Sequence, residues 1–315
     1  MNPTLPGEDR LSPAWVVEAK VPLARPPRTP APVRSKVVNR HVVPLVKVHE
    51  EEDAWHFWDE IPVGHIAVDY FSLRGALSLY HRALEEGIHP ALGFNGRITI
   101  VLVGKDWELD KLDISRYAQD VKKMGANAVS TPDDYTYITD PPRYRMHRIT
   151  NSLDRTREMI SQLPGVELVG VVKGSTKMEI EFHIERLMAL GIKVMAFPCS
   201  EYMEAKRYSE PAIFVRICKD RGLVSWVMGA NSLGVMHSLG ADCYSGTGWC
   251  YGPLALGLMY EKGKWVKAGS GRFHCNHPEC QVTQDLHQSA ASKARHNIRS
   301  LLEVDAELAG RGTLG

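Results

Sequence analysis

From residue 42 onward, short apolar runs alternate with longer amphipathic stretches. The runs at 42–48, 66–69, 98–104, 126–131, 166–172, 192–198, 223–229 and 241–244 are rich in β-branched and small apolar residues and are bounded by Gly, Pro or polar positions, the pattern of strands buried on both faces. Between them, the stretches at 74–86, 114–124, 151–162 and 179–190 carry apolar residues at helical spacing; in the last, Ile180, Ile184, Leu187 and Met188 fall on one face. Strand and helix succeed each other every roughly 25 to 35 residues, which predicts parallel βα units, and eight units predict a closed (β/α)8 TIM-type barrel rather than an open doubly wound α/β sheet. A last helix is predicted over 290–308. No Gly-x-Gly-x-x-Gly follows the first strand and no Walker sequence occurs, so neither a dinucleotide nor a nucleoside-triphosphate site is expected.

The first 41 residues break this pattern. Frequent prolines, with Arg25, Arg28, Arg34, Lys36 and Arg40, describe a basic extended arm that is either a tail, a wrapping on its own domain or a contact to phosphates. The chain thus divides into the arm (1–41), a barrel core (42–261) and a C-terminal segment (262–315). Its 315 residues hold 38 Lys+Arg against 37 Asp+Glu, a formal net charge of +1 that excludes a uniformly basic surface and leaves local patches to carry any nucleic-acid contact. Six cysteines are too few for a disulfide scaffold of this size. With no apolar leader and no run of about 18 apolar residues, a cytoplasmic protein without membrane contact is expected.

In such a barrel the C-terminal strand ends line the site. The candidates are Asp69, Asp106, Asp133 with Asp134, Lys173 with Ser175, Cys199 with Glu201, Asn231, and Asp242 with Ser245. Carboxylates from several strands suit acid/base and nucleophilic work on a sugar or a base. A metal-centred hydrolase barrel would want His-x-His after the first strand, where this sequence has only His65.

The sharpest local signal is Cys275-Asn276-His277-Pro278-Glu279-Cys280, followed by His296 on the predicted last helix. Two thiolates and two imidazoles suit tetrahedral zinc, and four protein ligands make that zinc structural. His287 is an alternative fourth ligand and His274 an alternative to His277. Lys262, Lys264, Lys267, Arg272, Lys293, Arg295 and Arg299 surround the knuckle, a patch suited to a phosphodiester backbone or to a solvated helix face.

Together these residues resemble the queuine/archaeosine tRNA-guanine transglycosylase family, a (β/α)8 barrel whose zinc site is Cys-x-Cys-x-x-Cys followed by a His-Asn dipeptide on the final helix. Here His277 replaces the middle cysteine, and His296-Asn297 matches the dipeptide. Val169-Gly170-Val171-Val172-Lys173-Gly174 is similar to the family's Val-Gln-Gly strand, Trp226-Val227-Met228-Gly229 to its Leu-Met-Gly-Val-Gly strand, Pro132-Asp133 to the strand end with the base-recognising aspartate, and Gly240-Ala241-Asp242-Cys243-Tyr244-Ser245 to its Gly-x-Asp-x-Phe-Asp run. Two departures stand out. The family's nucleophilic aspartate falls at Ser245, and its Thr-Asp-Ser-Gly-Gly motif is replaced by the stretch ending in Asp69.

The divergence and the short chain look most like the phage and bacterial branch that inserts 7-deazaguanines into DNA. The resemblance implies exchange of guanine in DNA for a preQ0-like 7-deazaguanine by double displacement through a covalent aspartyl-sugar intermediate. A tRNA enzyme and a catalytically inactive, zinc-containing nucleic-acid-binding homologue are the alternatives. On this reading Asp69 and Asp242 share the nucleophilic and proton-shuttling roles, in either order, or a carboxylate on another strand serves. Asp133, with Asp134 as its neighbouring alternative, accepts hydrogen bonds from the base; Lys173 donates to its O6 or balances the acids. Backbone near Gly229, the Ser245 position and the turn at Pro198-Cys199-Ser200 wall the pocket, and Tyr135, Tyr137, Tyr244 or Trp249 stack on an extruded base. The segment 141–148 is a phosphate-gripping loop or a plain turn, and Trp55, Phe57 and Trp58 plug the barrel bottom or form a dimer surface. Expected partners are DNA (alternatively tRNA), the base and a second copy of the chain, in the host cytoplasm if the protein is phage-encoded; the expected cofactor is structural Zn2+.

Overall fold

The structure, a computed structural model, describes residues 41–48, 56–229, 233–251, 258–261, 264–267, 277 and 290–311. The arm lies outside these residues, apart from His41.

Among the described residues, nine segments form one parallel sheet: β1 (His41–Val42), β2 (Leu45–Val46), β3 (His65–Asp69), β4 (Arg97–Val101), β5 (Ala128–Ser130), β6 (Glu167–Val171), β7 (Val194–Pro198), β8 (Val224–Met228) and β9 (Cys243–Ser245). The strand expected over 42–48 is the closing piece. Pro44 has no N–H to continue a ladder, so the Val43 N–H reaches Tyr244 O on one side (2.7 Å) while Pro44 O accepts from Ala67 N on the other (2.9 Å). β1 therefore pairs with β9 and β2 with β3, and the sheet returns on itself as an eight-stranded α/β barrel.

Alternation sorts each strand into an inner and an outer set. Val43, Leu45, Ala67, Val101, Ala128, Val169, Ala196, Trp226, Met228 and Cys243 fill the interior, the three alanines leaving room for the Trp226 indole. The outward residues pack under the helices in two larger clusters, one on the β3–β5 side and one on the β6–β9 side.

Helix signals are local. Ile114–Met124 starts at Asp113, whose carboxylate accepts from Arg116 N, and stops at Gly125, whose φ of +64° suits glycine. Lys177–Ala189 opens with a capping box between Thr176 and Glu179. Two helix expectations need correction. The stretch over 74–86 is two helices, Tyr70–Gly75 and Leu77–Glu86, parted at Ala76. The helix expected from residue 151 begins at Pro142, where a first-turn proline loses no intrahelical bond, so 142–148 is helix and not a loop.

Phe57 and Trp58 also lie elsewhere than expected. They neither plug the barrel nor face solvent; they pack in the outer core with Phe94 and Trp249. Trp55 is outside the described residues. A hairpin, β10 (Leu258–Glu261) with β11 (Lys264–Lys267), precedes the last helix, Ala290–Arg311. Among the described residues no helix is long and apolar enough to cross a membrane.

Candidate active site at the barrel mouth

Asp69 ends β3 and begins the next helix. Its carboxylate accepts from Phe71 N (3.3 Å) and Ser72 N (3.2 Å) as the helix N-cap, and from Val103 N (3.1 Å) just past β4. Three backbone donors favour the charged form, as does the field of Lys47. Burial outweighs them and pushes its pKa up to about 6. A carboxyl that titrates near neutrality at a strand's C-terminal end is suited to giving and taking a proton. Lys47 was not among the sequence candidates, although the inward alternation of Val43 and Leu45 carries on to it.

One residue past Val103, at Gly104, begins the lining of a cavity of about 290 Å3 that also takes in Asp106, Asp133, Tyr137, Lys173 and Glu201; Asp69 itself is buried behind this wall. Lys173 Nζ stands 2.9 Å from Asp133 Oδ1. Their contact is one of charge: Oδ1 is buried and accepts no well-aligned hydrogen bond among the described residues. The loop carrying Lys173 is fixed from beneath. His183 Nδ1 accepts from the Lys173 N–H (3.0 Å), and burial pushes this imidazole down to about 4, so it stays neutral with its proton on Nε2. Tyr202 Oη donates to Gly174 O (2.8 Å), and the buried Glu179 accepts from Ser175 N and pairs with Arg145. His183, Tyr202 and Glu179 are not among the sequence candidates, and Arg145, expected in a phosphate-gripping segment, is instead buried against Glu179; only tertiary packing brings them under the loop.

The remaining candidates separate. Asp134 is turned away from the cavity: its Oδ1 accepts from Arg148 Nη1 (2.8 Å) and its Oδ2 from Asn151 Nδ2 (2.5 Å), which clamp it to helix Pro142–Gln162. Asp242 precedes β9 at the opposite end of the barrel from Asp69, where its Oδ2 accepts from both N and Oγ of Ser225 (2.8 Å each). The expected facing pair Asp69 and Asp242 is thus not formed. Ser245 does point inward at the C-terminal end of β9, its Oγ accepting from Trp226 Nε1 (2.9 Å).

Gly229 continues β8 at φ +83°, and its N–H is engaged by Ser245 O (2.7 Å) rather than offered to a ligand. A Cβ here would lie 2.0 Å from Ser200 Oγ. Pro198 and Ser200 line the cavity as expected, while Cys199 is buried with its Sγ toward Met228 O and its thiol pushed up to about 12 by burial. Tyr135 and Tyr137 border the cavity; Tyr244 and Trp249 are core residues.

At the C-terminal segment, Cys275 and Cys280 are outside the described residues, as are His274 and His287. His277 and His296 come together, Nδ1 to Nδ1, at 3.2 Å. Their opposite nitrogens are engaged: His277 Nε2 with Glu303 Oε2 (2.9 Å), and His296 Nε2 with Tyr260 O (3.0 Å). Asn297 completes the join, accepting from Tyr260 N (2.7 Å) and donating to Trp249 O (3.1 Å). Among the described residues no group of three or more His, Cys, Asp or Glu is placed to hold a metal.

No protein-family model matches the chain, and no curated protein matches it.

Proposed function

We propose that the protein exchanges guanine in DNA for a preQ0-like 7-deazaguanine at the barrel mouth. The observation that carries this reading is the Lys173–Asp133 pair in the mouth cavity. A guanine or 7-deazaguanine edge presents an acceptor (O6) and then two donors (N1–H and the exocyclic amine). Lysine followed by carboxylate presents the complement, a donor and then acceptors, whereas adenine would oppose donor to donor. Asp69 serves as the general acid/base, protonating the departing base and taking a proton from the incoming one, a role its raised pKa suits.

Retention at the sugar requires a second carboxylate as nucleophile. Asp242 lies at the opposite end of the barrel, so the task passes to a carboxylate of another strand end; Asp106 and Glu201 both line the cavity. The residues available also fit the zinc that the Cys275 to Cys280 knuckle implies. With hydrogen on each engaged Nε2, the two Nδ1 lone pairs of His277 and His296 converge, the arrangement of imidazole ligands oriented by a carboxylate and a carbonyl. When bound, zinc supplies structural closure and no chemistry at the mouth.

One feature favours the second reading, an inactive nucleic-acid-binding homologue: Ser245 occupies the family's nucleophile position and hydrogen-bonds Trp226. Incubation with duplex DNA and preQ0, followed by nucleoside analysis, separates the two. Deazaguanine in DNA that is lost in Asp69→Asn and Asp133→Asn supports exchange. DNA binding without incorporation selects the inactive homologue, and incorporation into tRNA alone selects the tRNA enzyme.

A further inference from the structure

The barrel has a second cavity, at the end away from the mouth. Its volume is about 510 Å3, and its lining includes inward residues at the first or third position of their strands: His65 and Arg97 at the starts of β3 and β4, Thr99, Glu167 and Val169, Val194, Val224 and Trp226. The interior layer of Ala67, Val101, Ala128, Ala196 and Met228 separates it from the mouth. Barrel interiors are ordinarily filled by side chains. Here the bottom inward positions on β7 and β8 are only valines, which leaves the space beneath Trp226 open.

The lining has the composition of a small-molecule site, in both size and the balance of apolar wall to polar group. Val42, Val63, Val169, Val194, Val224 and Leu302 make the wall. Two rings form its ceiling and one side, Trp226 and His65 packed edge to face with centroids 5.6 Å apart, and His65 Nε2 shares a hydrogen bond with Thr99 Oγ1 (2.9 Å). At the rim, Arg97 Nη2 and Glu167 Oε1 form an ion pair at 2.8 Å. Since those two charges cancel, no net charge calls for a charged ligand. The pair still offers guanidinium donors beside a carboxylate acceptor.

We infer that this lower cavity is a binding site for a neutral, planar heteroaromatic molecule, its faces against the valines and the His65 ring and its donor/acceptor edge toward Arg97 and Glu167. The site is independent of the reading of the mouth. Benzimidazole and indole serve as probes, with benzoate as the anionic comparison, against the full chain carrying 13C-labelled valine methyls. The expected result is saturable shifts of the Val169, Val194 and Val224 methyls with benzimidazole and indole, with benzoate weaker. Val224→Phe, which fills the space from β8, and Val194→Phe, which fills it from β7, each weaken benzimidazole by at least about tenfold. The inference is overturned by the absence of saturable binding, by shifts confined to Val103 and Val171 at the mouth end, by benzoate binding more tightly than benzimidazole, or by unchanged affinity in a folded filling variant. The methyl spectra decide the matter even where neither variant folds.

Discussion

Replacing Asp69 by Asn tests the physical basis of the site through stability. The folded carboxyl titrates near 6 and the unfolded one near 3.8, so the native state binds this proton more tightly. A raised pKa of this kind contributes stability below pH 3.8 that is lost as pH rises through 6. The two-unit shift corresponds to a native-state penalty of about 3 kcal/mol at pH 8. Asparagine removes the charge and keeps one carbonyl oxygen for Val103 N and Phe71 N; the loss at Ser72 N costs about 1 kcal/mol or less, since Asn caps helices nearly as well as Asp. Asp69→Asn is therefore expected to be more stable than the parent by about 2 kcal/mol at pH 8 and slightly less stable at pH 3.5. Urea unfolding of both proteins across this range measures the difference directly, with the parent subtracting every other titrating group. A stability difference that is constant with pH refutes the argument that burial of Asp69 sets its proton affinity. Loss of base exchange in the same variant then reads as loss of the acid/base and not of the fold.

Other substitutions probe separate parts of the molecule. Lys173→Met leaves the Asp133 carboxylate buried without its cation and is expected to cost about 2 kcal/mol in urea unfolding, together with the preference for guanine over adenine in competition binding. Asn297→Ala strips partners from Tyr260 N and Trp249 O, both in buried residues, for about 2–4 kcal/mol, measured as a fall in Tm. Gly229→Ala forces a side chain into a left-handed conformation against Ser200 and is expected to cost about 1–3 kcal/mol by the same assay. Metal analysis is expected to find one zinc per chain; His296→Ala loses it, and chelation lowers the Tm of the intact protein.

The barrel was largely legible because its signals are local. Each strand is a compact β-branched run, and Asp113, Gly125 and Thr176 with Glu179 mark helix ends by chemistry that acts within a few residues. The site was legible only where the strand boundary was right. Asp69 is the last residue of a run whose end coincides with that of β3, and Asp133 follows a run expected to end one residue beyond β5. Their supports, among them Glu179 under Ser175 and His183 under Lys173, come from the helix following β6, and no local pattern marks which of its polar residues turns inward.

Asp242 shows what a small error in register does. The strand was expected over 241–244, which puts Asp242 in its middle, whereas β9 is Cys243–Ser245. Because side chains alternate with period two, Cys243 and Ser245 face the interior and residue 242 faces outward, and it also falls before the strand instead of within it. Both changes move the carboxylate away from the mouth, to Ser225 at the start of β8. The residue that takes the inward terminal position is Ser245, and its hydroxyl is bound to the Trp226 indole, whose ring also roofs the lower cavity. Trp226 thus ties the middle of the barrel interior to its C-terminal end, its indole N–H fixing the Ser245 hydroxyl where the family's aspartate would stand.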